Sequence, residues 1–370
     1  MIEACDGCLR RSHLIARLAP RIAAILGRPR HVRAGVLGLD EAKLVDALAG
    51  SGREEALRYL DDFDPNAKRA RLLAADVDAT CSHGRSYPLA LNQLDDPPAV
   101  LFVAGGLARM ARLTADKVVT VVGSRSPSPY GIEVARSLAR GLAATGTPVV
   151  SGLALGIDGA AHRGALNAGG PTLAVLGGGP DVAYPRSHRG LLSEVRESGA
   201  VVSEMPPGQA PFRWCFPARN RIMAALGSMT VVVEAAEESG SLITAEFALD
   251  LQRALGAVPG KVTSPKAAGS NRLLFDGAHV VRGAEDVLEL LYGSGARPEV
   301  APDPALVALL ADDPQLKLVL DAVETGEDVD SMGTVTGLPP GRVRASLGRL
   351  ERLGLIARQG LGPYERTAPV

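Results

Sequence analysis

The chain has 370 residues, of which 46% are hydrophobic and 22% charged, and its formal net charge is −1. That length exceeds a single hydrophobic core and predicts two or three domains; the composition excludes global disorder, and the charge advertises no general affinity for nucleic acid. No apolar run approaches the roughly 18–20 residues of a membrane span, the first residues lack a secretory pattern, and four cysteines make no disulfide framework, so a cytoplasmic protein with reduced thiols is expected.

Residues 1–75 read as a small helical unit. Leu14, Leu18, Ile22 and Ile25 recur at helical spacing, and residues 39–48 and 54–60 give two more short helices around Gly50-Ser51-Gly52. From spacing alone the unit is either a cap on the main domain or a surface for a partner. Residues 76–115 are interrupted by Pro88, Pro97 and Pro98, which predicts an extended lead-in whose run 99–104 adds an edge strand.

The centre of the chain is the run 117–125, Lys-Val-Val-Thr-Val-Val-Gly-Ser-Arg. Its valines and threonine suit a strand buried on both faces of a parallel sheet. A helix is predicted next, with Pro129 in its first turn and Val134, Leu138 and Leu142 as one apolar stripe. Apolar runs of strand length follow at 147–151, 171–177, 200–203, 229–235, 255–258 and 278–281. Helical segments at 158–168, 187–198, 218–226 and 241–253 alternate with them. This order predicts crossover units and a parallel α/β sheet. Residues 293–305 read as a linker, and residues 306–370 as a third domain. There, helices near 316–323 and 341–353 and a two-stranded wing around Gly360-Leu361-Gly362-Pro363 predict a winged helix.

Four glycine-rich turns fall at one edge of the expected sheet: Gly123-Ser124-Arg125, 151–156, Gly177-Gly178-Gly179 and Ser239-Gly240-Ser241. Glycine admits close backbone approach, and free amides at helix starts favour an anion. Neither a phosphate-loop lysine motif nor a clean dinucleotide fingerprint is present. The segment 211–221, Pro-Phe-Arg-Trp-Cys-Phe-Pro-Ala-Arg-Asn-Arg, mixes three arginines with three aromatics, and no acid lies between Glu204 and Glu234. Arginine neutralises phosphate while aromatic faces stack on bases, the pairing that holds single strands. The alternative is that the aromatics are core and the arginines a solvated face. A second window, 251–275, adds Arg253, Lys261, Lys266 and Arg272 to the expected basic surface.

Asp158 and His162 stand four apart on one predicted helix, an arrangement that suits a helix-start acid holding a histidine better than an acid–base pair. Cys5-Asp-Gly-Cys8 and Cys81-Ser-His83 offer four ligands of the type and number that a structural zinc takes. With nothing in the sequence to join the two halves, reduced and unrelated thiols are the favoured expectation, so no cofactor is assigned and Cys215 is read as packing.

Taken together, the motifs ending in Gly123-Ser124-Arg125, at 151–158, 174–181 and 216–222, Ser239-Gly240-Ser241-Leu242-Ile243-Thr244-Ala245, and 257–260 resemble the DNA processing protein A (DprA, or Smf) family of bacteria. The resemblance runs from about residue 87 to 291. It implies an extended Rossmann-like domain at 76–292, an N-terminal helical domain of the SAM or helix-hairpin-helix kind, and a C-terminal winged helix. It also implies a non-catalytic protein that binds single-stranded DNA, forms a homodimer and helps load the RecA recombinase in natural transformation.

Carried over by position, Gly123, Ser124, Arg125, Arg213, Phe216, Arg219 and Arg221 line the DNA pocket and Asn220 orients a phosphate or base. Ser239, Gly240, Ser241 and Thr244 supply hydroxyls and amides, and Lys261 joins them. The residues also leave two rivals standing. One is a nucleotide-processing enzyme using Glu204 or Glu234; the other is a double-stranded DNA regulator using Arg342, Arg344, Arg349 and Arg352 of the winged helix. Departures from the family pattern are Ala225 and Gly227, and Glu246, which sets an acid near the proposed anion site.

Overall fold

The computed structural model describes residues 1–26, 37–294, 309–310, 312–325, 327–329, 331–353, 355–358 and 364–366. Most of the expected linker, the wing turn at 360–363 and the side chain of Ile25 lie outside the described residues.

Nine strands form one sheet: β1 (Asp78–Thr80), β2 (Leu101–Ala104), β3 (Val119–Val122), β4 (Val149–Ser151), β5 (Thr172–Leu176), β6 (Ala200–Ser203), β7 (Met229–Val232), β8 (Ala254–Ala257) and β9 (His279–Val280). Their order is β1-β2-β6-β5-β4-β3-β7-β8-β9. All pairings from β6 to β9 are parallel, whereas β1 with β2 and β2 with β6 are antiparallel. The fold is therefore α/β with a Rossmann-like, mostly parallel sheet, as expected.

Burial explains the unbroken apolar strands. Every residue of β2 to β7 is buried, because helices cover both faces. Within β3, Val119 and Val121 pack with Leu138, Leu142 and Ile157 on one side, while Val122 packs with Ile222, Met223 and Leu226 on the other. Thr120 shares the second side and satisfies its hydroxyl by donating to the Met223 carbonyl at 2.8 Å. Several elements have weak local signals and escape the sequence reading. They include β1, only three residues long, and the helices Pro65–Ala74, Leu107–Leu113, Ala268–Phe275 and Ala284–Tyr292.

The N-terminal helices Asp6–Leu26, Glu41–Leu48, Arg53–Asp61 and Pro65–Ala74 do not stand apart. Leu14, Leu18, Ile22, Leu44 and Val45 share one apolar cluster with Met205, Trp214, Cys215 and Ala218 of the main domain. The Trp214 indole N–H donates to the Ala19 carbonyl at 3.1 Å, and the side chain is 1% exposed. The N-terminal unit is thus a packed cap, with no break in the core near residue 75. Trp214, expected among the stacking aromatics, is core instead.

At the other end, helices Pro314–Glu324, Met332–Thr336 and Pro340–Arg352 and the antiparallel pair Ile356–Arg358 with Tyr364–Arg366 enclose a cluster of their own around Leu316, Leu320, Val343, Leu347 and Leu350.

Candidate nucleic-acid interface

The strand order reverses beside β3. From there the chain winds through β4, β5 and β6 on one side and returns through β7 and β8 on the other. In an open parallel sheet, the crevice at the carboxyl ends of the strands flanking such a switch point is where ligands bind. A cleft of about 600 Å³ opens at this edge. Gly123, Ser124 and Arg125 follow β3 into it; Phe216, Arg219, Asn220 and Met223 reach it from helix Cys215–Leu226; Ser239, Gly240, Ser241 and Thr244 come from the next helix start.

Each position has a local reason. Gly123 admits the close passage of two segments: a side chain there would meet Ile157 Cγ1 at 2.6 Å and the Glu234 carbonyl at 2.9 Å. Ser239 caps helix Gly240–Asp250, its hydroxyl accepting from the Ser241 amide and lying 2.8 Å from the Ser241 hydroxyl. That helix start aims backbone amides and a positive dipole end at the cleft. On helix Cys215–Leu226, positions 216, 219, 220 and 223 share a face at i, i+3, i+4 and i+7, which is why all four line the cleft.

Arg125 is exposed, and its guanidinium lies 5.1 Å from the centroid of the Phe216 ring. Tyr184 also packs against Phe216, with ring centroids 5.1 Å apart. The result is a cation–aromatic platform at the mouth of the cleft. Arg213 lines the same mouth and is also exposed. Neither Arg125 nor Arg213 forms an ion pair among the described residues.

Arg219 sits deeper, at 4% exposed, donating to the carbonyls of Gly152 and Val175 and lying 3.6 Å from the Asp158 carboxylate. Burial pushes its pKa down to about 10, Asp158 works the other way, and the group stays charged at neutral pH. Two buried polar atoms of the cleft residues, Arg219 Nε and Thr244 Oγ1, have no hydrogen-bond partner among the described residues. Asn220 donates to the Gly240 carbonyl at 3.1 Å and so ties the two helices that form the wall.

Other expected members lie elsewhere. Arg221 turns to the opposite side of its helix, 3% exposed, where it bonds Asp96 at 3.0 Å and Glu204 at 2.8 Å. Burial opposes its charge, but Glu204 and Asp96 outweigh that and raise its pKa. Two residues along a helix rotate a side chain by about 200°, so Arg219 and Arg221 could not share the cleft. Lys261 lines a neighbouring hollow with Tyr130 and Glu234. The glycines at 177–179 serve packing instead: side chains at Gly178 and Gly179 would strike Pro211 and the Pro206 carbonyl.

Asp158 does not hold His162. The carboxylate faces Arg219, whereas His162 Nδ1 bonds the Thr172 hydroxyl at 2.8 Å. Glu246 is exposed and does not line the cleft, while Tyr184 does and was missed. Its only sequence signal is an aromatic between two proline-containing turns downstream of β5.

The chain matches the family model described as DNA recombination-mediator protein A over residues 78–292. It belongs to that family. DNA processing protein DprA of Bacillus subtilis is 38% identical over 236 residues, 63% of this chain and 78% of that protein. The crystal structure of DNA processing protein A from Streptococcus pneumoniae superposes with a TM-score of 0.61 at 31% identity, covering 78% of this chain and 99% of that one. DNA processing protein A from Helicobacter pylori, a structure described for its single-stranded DNA binding mode, matches with a TM-score of 0.52 at 29% identity, covering 58% and 95%. Relatives are therefore DNA processing proteins with this Rossmann-like sheet, and among the described residues no helix is long and apolar enough to cross a membrane.

Proposed function

We propose that this cleft binds single-stranded DNA and that the protein, acting as a homodimer without catalytic turnover, delivers the strand to a RecA-type recombinase. The observation that carries the DNA reading is Arg125 stacked on Phe216 beside Tyr184, above a buried arginine and a capped helix start. A phosphate meets cations and amides there, and an unstacked base meets an aromatic face. The platform favours single strands, because a duplex keeps its bases stacked and out of reach of Phe216. Support for the recombinase and the dimer comes from family membership. The carboxylates that a nucleotide-processing enzyme would need are engaged: Glu204 clamps Arg221, and Glu234 accepts from the Ser128 amide and hydroxyl, the latter at 2.7 Å.

The test is fluorescence anisotropy of labelled oligo-dT and of matched duplex across a salt series. Wild type binds the single strand more tightly, and Arg125→Ala weakens it at least about tenfold while lowering the salt slope by about one. Equal affinity for duplex, or indifference to Arg125→Ala, overturns the assignment.

A further inference from the structure

The two cysteine motifs, with 72 residues between Cys8 and Cys81 in sequence, meet in space. Cys5 stands immediately before helix Asp6–Leu26 and Cys8 lies in its first turn, while Cys81 and His83 follow β1. One ligand atom from each of the four lies within 4.8 Å of all the others. The backbone holds the halves together independently: Ile2 bridges Ala79, and the Glu3 and Ala4 amides both donate to the Ala79 carbonyl, at 2.7 and 3.1 Å. Glu3 accepts from the Ser86 amide and hydroxyl, each at 2.9 Å, which fixes the loop that carries His83.

His83 Nδ1 lies 3.5 Å from Cys5 Sγ, 3.6 Å from Cys8 Sγ and 3.6 Å from Cys81 Sγ. One ring nitrogen has a single lone pair or a single proton, so it makes one hydrogen bond and not three. Three near-equal distances instead describe atoms arranged around a shared centre. A tetrahedral zinc with ordinary bond lengths sets its sulfur and nitrogen ligands about 3.6 Å apart and its sulfurs about 3.8 Å apart. The observed spacings match the first value, and the 4.8 Å limit accommodates the second.

We propose that Cys5, Cys8, Cys81 and His83 bind one structural Zn²⁺ that pins the first helix to the antiparallel edge of the sheet. Three sulfurs and one imidazole nitrogen are a soft, four-coordinate set, which selects zinc over magnesium or calcium. All four positions are protein ligands, so the site is closed and takes no substrate. The surroundings suit a thiolate-rich centre: the Cys5 amide points at Cys81 Sγ, 3.5 Å away, and the positive end of helix Asp6–Leu26 faces the site. Cys215, buried in the cluster around Trp214, takes no part.

Metal analysis of the full chain, purified without chelator and without added metal, tests this. One zinc per chain is expected, lost in Cys8→Ser and in His83→Ala and retained in Cys215→Ser. Because the first two variants can unfold, wild type is also exchanged into cobalt, where tetrahedral thiolate coordination gives intense visible d–d bands. Chelator then exposes three thiols to a reporter reagent and lowers the unfolding temperature. Metal-free wild type, full zinc retention in Cys8→Ser, iron in place of zinc, or a Cys5–Cys8 disulfide by mass each overturns the proposal. The outcome is independent of DNA binding, since the cleft contains none of these residues.

Discussion

Arg219 and Arg221 lie two residues apart in sequence and occupy different electrostatic worlds. Arg221 answers one buried and one partly buried carboxylate, so Arg221→Leu strands Asp96 and Glu204 without a counter-charge. A loss of about 3–5 kcal/mol is expected, read from the urea midpoint, with single-strand affinity of the folded protein unchanged. Normal stability combined with lost binding would place Arg221 at the DNA instead. His162 offers a second test at this scale. Thr172 spends its hydroxyl hydrogen on the Val149 carbonyl, so His162 Nδ1 must donate to Thr172, and Nε2 is left buried with no partner among the described residues. Burial first, and Arg219 after it, lower the histidine pKa from 6.5 to about 3. The unfolded chain therefore takes up this proton first: the native state is at full stability above about pH 6.5 and loses it as the pH falls towards 3. At pH 5 the loss is about 2 kcal/mol. His162→Asn keeps the donor to Thr172 and removes the titration, so its melting temperature should fall less than wild type's between pH 7 and pH 5. An identical decline would show that His162 does not set the slope.

At the scale of elements, legibility tracked the strength of the local pattern. The strands β3 to β8 are short runs of mostly apolar residues, several of them closed by glycine, and such runs suit a doubly covered sheet. Edge elements were harder. β1 is Asp-Ala-Thr, whose pairing is decided by its neighbour β2 and by the chain start that lies beside it. Helix Cys215–Leu226 shows both outcomes. Its composition announced cations and aromatics, yet only its angular period says that Phe216, Arg219 and Asn220 face the cleft while Arg221 faces the acids. The aromatics divided likewise, Trp214 into the core and Phe216 to the mouth, because the two side chains point to different sides of one helical turn.

For the whole molecule, the N-terminal helices share one apolar cluster with helix Cys215–Leu226 and the loop before it, and a second with the sheet, so unfolding of the cap and of the α/β core should be coupled. The C-terminal helices and hairpin instead close around their own cluster. Deletion of residues 306–370 is therefore expected to leave the α/β core folded, by circular dichroism and melting temperature, with single-strand affinity within a few-fold of the full chain. Lost binding in a folded truncation would move the site to the C-terminal unit, where Arg342, Arg344 and Arg352 are exposed and Arg349 pairs with Asp313 at 2.6 Å.

The sequence by itself determined the alternation of strands and helices, the glycine turns at one sheet edge, and the presence of arginine with aromatics near them. These are local properties, written in apolar period and in residues that permit tight turns. Tertiary structure alone decided which of those residues meet. It joined three of the four glycine turns into one cleft, spent Arg221 on Asp96 and Glu204, supplied Tyr184 from a distant loop, and brought Cys5 and Cys8 against Cys81 and His83. Apart from Arg221 with Glu204, these contacts join residues far apart in the chain, and contacts of that kind follow from how the sheet orders its strands rather than from any stretch of the chain.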